Sequence, residues 1–101
     1  MNRLTREELM MNFIFSEGRL DCRSEDGLPM GNITFPAVDE RVVNIDHVFT
    51  SPVFRGQGVA EKMMDALMAH LEKEGKLARL TCPYSQHYIE KHPQWSHLVE
   101  R

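Results

Sequence analysis

Cysteine is scarce in this chain, with only Cys22 and Cys82 present and far apart in the sequence. Neither belongs to a Cys-x-x-Cys pair, and the five histidines do not complete a zinc-binding spacing with them. We therefore expect no metal. Nothing in the sequence supports a disulfide, so we expect two free thiols in a reducing compartment.

Long apolar runs are also absent, since none approaches the roughly 20 residues needed to cross a bilayer. Residues 1–20 lack the apolar core of a signal peptide, because charged residues interrupt them. We expect a cytoplasmic protein that does not contact membranes. The 12 Lys and Arg residues are scattered and outnumbered by 15 Asp and Glu, so nucleic acid is not an expected partner.

The chain length of 101 residues is enough for one hydrophobic core and not for a second cofactor domain. Hydrophobic residues make up 42% and charged residues 27%, which is typical of a globular protein. We expect residues 1–11 to be a flexible N-terminal lead-in and residues 12–101 to form a single domain. Any active site must therefore be compact.

The first half of the chain predicts an antiparallel meander. Strand-like segments occupy residues 13–15, 20–22, 31–35 and 41–50 and are separated by turn-forming residues. Gly18 stands where the first hairpin needs a positive φ. In the last segment, alternation places His47 on the same face as Val43, Ile45 and Phe49.

The second half predicts a helix, a strand and a shorter helix. Apolar residues recur at helical spacing after residue 58, and Gly75 is a typical C-cap. Residues 77–82 predict a strand and residues 84–91 a short helix. Together the two halves predict an α+β fold, in which a mixed, mostly antiparallel sheet has a crossover helix and a short C-terminal helix.

The junction between the meander and the long helix carries the strongest functional signal. Arg55-Gly56-Gln57-Gly58-Val59-Ala60 joins a β-branched run directly to the helix. Its two glycines allow the backbone to approach a ligand closely, and a helix N-terminus favours an anion. The junction therefore predicts a phosphate site, with a tight structural turn as the alternative.

The two best-known phosphate loops do not fit this junction. A Walker A loop needs Lys and Ser or Thr after its last glycine, where this chain has Val59 and Ala60. A dinucleotide fingerprint needs a third glycine where Glu61 stands.

The remaining pattern, Arg55-x-x-Gly58-x-Ala60, resembles the pyrophosphate-binding signature of the GNAT N-acetyltransferase superfamily. Three further features resemble its minimal single-domain branch: the sequence His-Val-Phe-Thr at 47–50, Cys-Pro-Tyr at 82–84, and a tail at 88–95 ending in His-Pro-x-Trp. The resemblance covers roughly residues 30–98 and implies that the chain binds acetyl-CoA as cosubstrate.

The resemblance also implies which residues contact acetyl-CoA. Pantetheine would pair with the backbone of the strand before the loop, and the loop amides would hold the pyrophosphate, with Arg55 or Lys62 near a phosphate oxygen. The implied contact residues are Val48, Phe49, Thr50, Arg55, Gly56, Gln57, Gly58, Val59 and Ala60.

Four residues are candidates for catalysis. The resemblance places Cys82 near the thioester, where it would either accept the acetyl group covalently or line the pocket. His47 is the candidate base for the amine, against a structural role. Tyr84 and Tyr88 are candidate acids for the leaving thiolate, against roles in packing.

The hypothesis is therefore a GNAT-type N-acetyltransferase that moves an acetyl group to a primary amine by direct attack on the thioester. Nothing in the sequence identifies the acceptor among a lysine side chain, a protein N-terminus and a polyamine. The alternative is a CoA-binding or interaction module with little or no transferase activity. We expect a monomer or a weak dimer.

Overall fold

The computed structural model describes residues 10–100. This part of the chain contains six strands, two α-helices and two short 3-10 segments. The elements are β1 (Met11–Ser16), β2 (Arg19–Ser24), β3 (Pro29–Thr34), β4 (Val42–Ile45), β5 (His47–Thr50), a 3-10 turn (Pro52–Phe54), α1 (Val59–Glu74), β6 (Leu77–Leu80), α2 (Pro83–Lys91) and a second 3-10 segment (Pro93–Leu98).

The strands form two sheets, and the chain segment 42–50 contributes β4 to one of them and β5 to the other. Strands β1, β2, β3 and β5 make a four-stranded antiparallel sheet in that order, and β4 pairs with β6 in parallel. The parallel pair needs a crossover connection, which α1 supplies between β5 and β6. The predicted mixed α+β fold with a crossover helix and a short C-terminal helix is confirmed.

Glycine ends the long helix and shapes the first hairpin, as predicted. Gly75 adopts the left-handed conformation at φ 69° and its N–H bonds the last-turn carbonyls of α1. Gly18 has φ 67° in the turn between β1 and β2. Strand β1 begins at Met11, two residues before the predicted segment 13–15 and inside the predicted lead-in, whose residues 1–9 lie outside the described residues.

The core lies between α1 and one face of the sheet. Helix α1 buries a continuous apolar stripe against residues that alternate along the strands, as its helical periodicity predicts. The fully buried members of this core include Leu20, Ile33, Ile45, Met63, Met64, Leu67, Met68 and Leu71. The opposite face of the four-stranded sheet carries exposed side chains, among them Ile14 and Phe49.

The predicted single strand over 41–50 is wrong, because a β-bulge divides it at Asp46. The Thr34 carbonyl accepts a bond from the Asp46 N–H at 3.2 Å, while His47 is the register partner of Thr34. Two residues therefore oppose one, which shifts the alternation of faces by one position. Val43 and Ile45 are buried but His47 and Phe49 are exposed. The prediction that His47 lies on the same face as Val43 and Ile45 is therefore also wrong.

The same bulge opens a cleft between β5 and the end of β6. The Ile45 carbonyl accepts bonds from the N–H groups of both Thr81 and Cys82, each at 3.2 Å. Beyond this shared acceptor the pairing of β4 with β6 ends. Strand β5 stays paired with β3, whereas the segment after β6 turns into α2 at Pro83. The cleft thus lies where the two sheets part.

The C-terminal segment covers part of the core and the outer side of β6. Trp95 packs against the core from the second 3-10 segment, and Val99 bridges to Ala78 on β6. Within residues 10–100, no helix has the length and apolar character needed to cross a membrane.

Candidate functional site

The glycine loop before α1 presents backbone rather than side chains to its surroundings. Gly56 and Gly58 have φ 82° and 75°, a conformation that glycine adopts at little cost. A Cβ atom at either position would have no heavy atom within 4 Å, so space is open beside the backbone. This space can admit a ligand without displacing protein atoms.

The first turn of α1 supplies unpaired donors to this space. The first intrahelical bond runs from the Lys62 N–H to the Gly58 carbonyl at 3.0 Å. The amides of Val59, Ala60 and Glu61 precede it and have no intrahelical carbonyl to bond. With the positive end of the helix dipole, they form an anion-binding end.

A hollow of about 320 Å³ lies against this loop. Its lining is Thr50, Arg55, Gly56, Gly58, Val59, Ala60, Glu61 and Tyr84. The structure thus brings together six of the predicted cofactor-binding residues and one predicted catalytic tyrosine. Gln57 instead lines a separate hollow with Phe54 and Leu28.

The strand leading to the loop directs only alternate residues into the cleft. On β3, the Thr34 carbonyl accepts a bond from the Asp46 N–H and the Met30 carbonyl accepts one from the Ser51 N–H. Backbone groups alternate in direction along β5, so the β3–β5 register directs those of His47 and Phe49 towards β3. The Phe49 carbonyl lies 2.5 Å from where a Gly31 Cβ would stand, which confirms this direction.

The backbone N–H and C=O groups of Val48 and Thr50 therefore point away from β3, into the cleft. Of the three strand residues predicted to bind the cofactor, these two direct backbone groups there that bond no other residue of the described range 10–100. Phe49 offers its side chain on the opposite face.

His47 lies on the open face of the sheet rather than in the hollow. Its side chain is exposed and its ring is nearly parallel to that of Phe49, with centroids 6.3 Å apart. The bulge is the physical reason, since it turns His47 away from the face that Ile45 buries. Its role as a base stays a prediction.

Cys82 occupies the cleft end of β6, where its residue is 8% exposed. Its carbonyl accepts the Ser85 hydroxyl at 2.7 Å, which fixes the start of α2. Within residues 10–100, no hydrogen bond joins its thiol to a base. The other cysteine, Cys22, is buried in the core, and burial raises the pKa of its thiol to about 11.

The two candidate tyrosines lie in different surroundings. Tyr84 is half-buried and lines the hollow, and burial, followed by the nearby Glu61 and Asp65 carboxylates, raises the pKa of its hydroxyl. Its proton is therefore retained at neutral pH and is available to a leaving group.

Tyr88 is only 2% exposed, and its hydroxyl donates to Asp65 Oδ1 at 2.5 Å. Burial raises the pKa of this hydroxyl, and the bond to Asp65 raises it further. The buried indole N–H of Trp95 makes no hydrogen bond to a described residue. The Tyr88 proton is thus already committed to a neighbour.

Sequence reasoning missed the two carboxylates that face these tyrosines. Glu61 and Asp65 stand four residues apart on α1, as Tyr84 and Tyr88 do on α2, so both pairs share a helix face. That matched spacing is the signal that could have revealed them. His92 completes the contact, with Nε2 3.8 Å from Glu61 Oε2.

No group of three or more His, Cys, Asp or Glu side chains between residues 10 and 100 is arranged to hold a metal ion.

Comparison with protein families gives one match that covers most of the chain. The family described as GCN5-related N-acetyl-transferase matches residues 19–98. The match includes the glycine loop, both α-helices and Cys82.

Curated relatives match a shorter stretch. Protein NATD1 of Xenopus tropicalis is 31% identical over 61 residues, which cover 60% of this chain and 56% of that protein. Protein NATD1 of Homo sapiens is 30% identical over 61 residues, covering 60% and 54%. The chain thus spans about half the length of the curated relatives it matches.

Solved structures share the fold over most of the chain. A GCN5-like protein from Staphylococcus aureus, solved by NMR, superposes with a TM-score of 0.72 at 23% identity, covering 90% of this chain and 89% of that one. A ribosomal-protein-alanine N-acetyltransferase from Brucella melitensis gives 0.56 at 21% identity, covering 82% and 60%. Ard1 from Thermoplasma volcanium gives 0.60 at 19% identity, covering 74% and 53%.

Proposed function

The chain belongs to the GCN5-related N-acetyltransferase family, and we propose that it binds acetyl-CoA and transfers the acetyl group to a primary amine by direct attack on the thioester. Residues 12–101 would form a single acetyltransferase domain. The observation that carries the proposal is the hollow at the N-terminus of α1, where glycine backbone, free amides and Arg55 converge.

The hollow fits a pyrophosphate by charge and by space. Unpaired amides of the first helical turn favour an anion, and Arg55 adds a positive charge at the same wall. Open space beside Gly56 and Gly58 allows phosphate oxygens to approach the backbone. Glu61 stands at the rim as an opposing charge.

The cleft beside β5 fits the pantetheine arm. This arm contains two amide groups, which can hydrogen-bond an extended backbone as another strand would. Val48 and Thr50 direct their backbone groups into the cleft, as the β3–β5 register requires. The arm would run from the phosphate hollow towards the point where the sheets part, near Cys82.

The proposed reaction forms one bond and breaks another. The neutral amine nitrogen attacks the acetyl carbon, an N–C bond forms, and the C–S bond breaks to release CoA as a thiolate. Tyr84 is the proposed proton donor to that thiolate because its protonated hydroxyl lines the hollow. His47 is the proposed base that removes the amine proton, and because its side chain lies on the open face of the sheet, outside the hollow, this role requires the amine to approach from that face. Cys82 is proposed to line the pocket.

Calorimetric titration with acetyl-CoA tests the proposal, with ATP and NAD as controls. We expect saturable binding of acetyl-CoA and much weaker binding of the controls. The variant Gly58→Glu should lose binding, because its carboxylate would occupy the phosphate space. Retention of acetyl-CoA by that variant, if it is folded, would refute the loop assignment.

A second measurement separates transfer from binding alone. The release of CoA thiol is followed with a lysine peptide, a peptide with a free N-terminus and a polyamine. Amine-dependent release with at least one acceptor supports an acetyltransferase. Saturable binding without release from any of them would favour the CoA-binding module.

A further inference from the structure

Strand β1 forms one edge of the four-stranded sheet, and no other strand of residues 10–100 pairs with its outer side. Ser16 pairs with Arg19 across the two-residue turn, so Ser16, Ile14 and Asn12 direct their backbone groups to β2. Alternation then turns the N–H and C=O groups of Met11, Phe13 and Phe15 outwards. No backbone bond to these outward groups is made within residues 10–100, so over that part of the chain the edge offers a row of unpaired donors and acceptors.

This edge lacks the features that usually prevent sheets from joining. Residues 10–16 contain no charged residue and no proline. They carry exposed apolar side chains, including Ile14 at 47% and Phe15 at 36% exposure. The outer side of β6, by contrast, is covered by Val99 and by a bond from the Glu100 N–H to the Ala78 carbonyl at 2.8 Å.

We propose that β1 pairs antiparallel with β1 of a second copy of this chain, about a two-fold axis perpendicular to the sheet. The two four-stranded sheets would become one continuous sheet, with α1 of both copies on the same face. The uncharged strand favours a second copy, because two copies meet without like-charge repulsion. This proposal does not depend on the acetyltransferase assignment.

Symmetry restricts the register of this pairing. Residues opposite each other in an antiparallel pair place their side chains on the same face, so the two members of every pair must share a face of β1. Complete overlap of the two strands would place Met11 opposite Ser16. Their side chains lie on different faces of β1, so complete overlap is excluded. Shifting the pairing by one residue satisfies the shared-face condition in two ways.

One register opposes Ile14 with itself, Phe13 with Phe15, and Asn12 with Ser16. It places apolar side chains against apolar ones and polar against polar on both faces. The other register opposes Phe13 with itself and sets Asn12 against Ile14. The first register is the one we assign, because aromatic and aliphatic cross-strand pairs stabilise a sheet.

Sedimentation velocity over about 10 µM to about 1 mM tests the pairing. The range extends to high concentration because a single strand pair buries less surface than a stable interface of about 1,200 Å², so we expect a weak dimer. We expect a concentration-dependent dimer that Ile14→Lys weakens at least about tenfold through like-charge repulsion at the axis. The matched control Val38→Lys changes another exposed apolar residue, in the β3–β4 connection, and should leave the dimer intact.

A monomer at every concentration would overturn the proposal. Equal weakening by Ile14→Lys and Val38→Lys would also overturn it, as would a dimer that Ile14→Lys leaves unchanged. Circular dichroism and acetyl-CoA binding of both variants check that each remains folded.

Cross-linking tests the register. Ile14 directs its backbone groups to β2, so in the dimer it would form a non-hydrogen-bonded pair with Cα atoms about 4.5 Å apart, within the range of a disulfide. We expect Ile14→Cys to give a covalent dimer under mild oxidation, whereas the wild type with its buried Cys22 and Cys82 gives none. Asn12→Cys should fail alone but cross-link when mixed with Ser16→Cys. Self-linking of Asn12→Cys in place of Ile14→Cys would overturn the register.

Discussion

At the scale of single residues, surroundings rather than residue type separate the candidate catalytic groups. Tyr84 and Tyr88 are one helical turn apart and were equivalent in the sequence. Only Tyr84 lines the hollow, whereas Tyr88 is enclosed and bonded to Asp65. The difference follows from position along α2, since Tyr84 lies in its first turn beside the hollow and Tyr88 lies one turn further on, against Asp65.

Replacing Tyr84 with Phe should lower kcat at least about a hundredfold, because loss of a positioned acid removes about 10²–10⁴ of rate. The KM for acetyl-CoA should change little, since the hydroxyl acts on the leaving thiolate. Steady-state kinetics measures both. A Tyr84→Phe enzyme with wild-type kcat would remove the tyrosine from the proposed mechanism.

Replacing Tyr88 with Phe should act on stability instead. Asp65 would lose its buried partner, at a cost of about 1.5–3 kcal/mol in the free energy of unfolding. Because the folded state raises the pKa of Tyr88, the stabilisation is present below about pH 10 and is lost as pH rises through the higher folded pKa. Urea titrations of both proteins at neutral and at alkaline pH measure the difference, which should shrink at alkaline pH.

Cys82 provides a test of the direct route. No hydrogen bond joins its thiol to a base among the described residues, so Cys82→Ala should keep kcat within about threefold, far less than the loss of an essential nucleophile. Mass spectrometry after incubation with acetyl-CoA should show no acetyl group on Cys82. An acetylated Cys82 together with an inactive Cys82→Ala variant would establish the covalent route.

At the scale of elements, glycines of similar conformation at the two ends of α1 give a matched pair. Gly58 and Gly75 have φ 75° and 69°, and neither has a heavy atom near its missing Cβ. Alanine at either position should cost about 1–2 kcal/mol, the penalty of the left-handed conformation. Only Gly58→Ala should also weaken acetyl-CoA binding, because only that end lines the hollow. Similar affinities of the two variants in calorimetry would contradict the site.

Gly31 controls a different contact, the approach of β3 to β5. A Cβ atom there would lie 2.5 Å from the Phe49 carbonyl and 2.9 Å from Met63 Cε. Because backbone cannot move aside easily, Gly31→Ala should destabilise the protein by about 1–3 kcal/mol. The neighbouring Asn32→Ala serves as a control in the same urea titration, and equal losses would show that the close approach is not limiting.

At the scale of the whole molecule, cofactor binding should appear as added thermal stability. Saturation at about 100 times Kd adds about 2.7 kcal/mol, which in a domain of this size corresponds to about 10–20 °C in Tm. Differential scanning fluorimetry measures the shift. S-acetylpantetheine, which lacks the pyrophosphate, should give a much smaller one, and an equal shift would place the binding energy outside the glycine loop.

The sequence by itself determined the order of the elements and the position of the glycine loop. Both follow from local rules: alternation and helical spacing select strands and helices, and Gly18, Gly58 and Gly75 stand where the chain needs a positive φ. The loop residues from Arg55 to Ala60 are adjacent in sequence, so their grouping required no knowledge of packing. The family signature could therefore be recognised before the fold was known.

Only the tertiary structure decided which side chains reach the cleft. The bulge at Asp46 depends on pairing with Thr34 and with β6, so alternation along the strand placed His47 on the wrong face. The contact between α1 and α2 separates Tyr84 from Tyr88. These outcomes depend on residues distant in sequence that meet only after folding, and local patterns carry no information about such contacts.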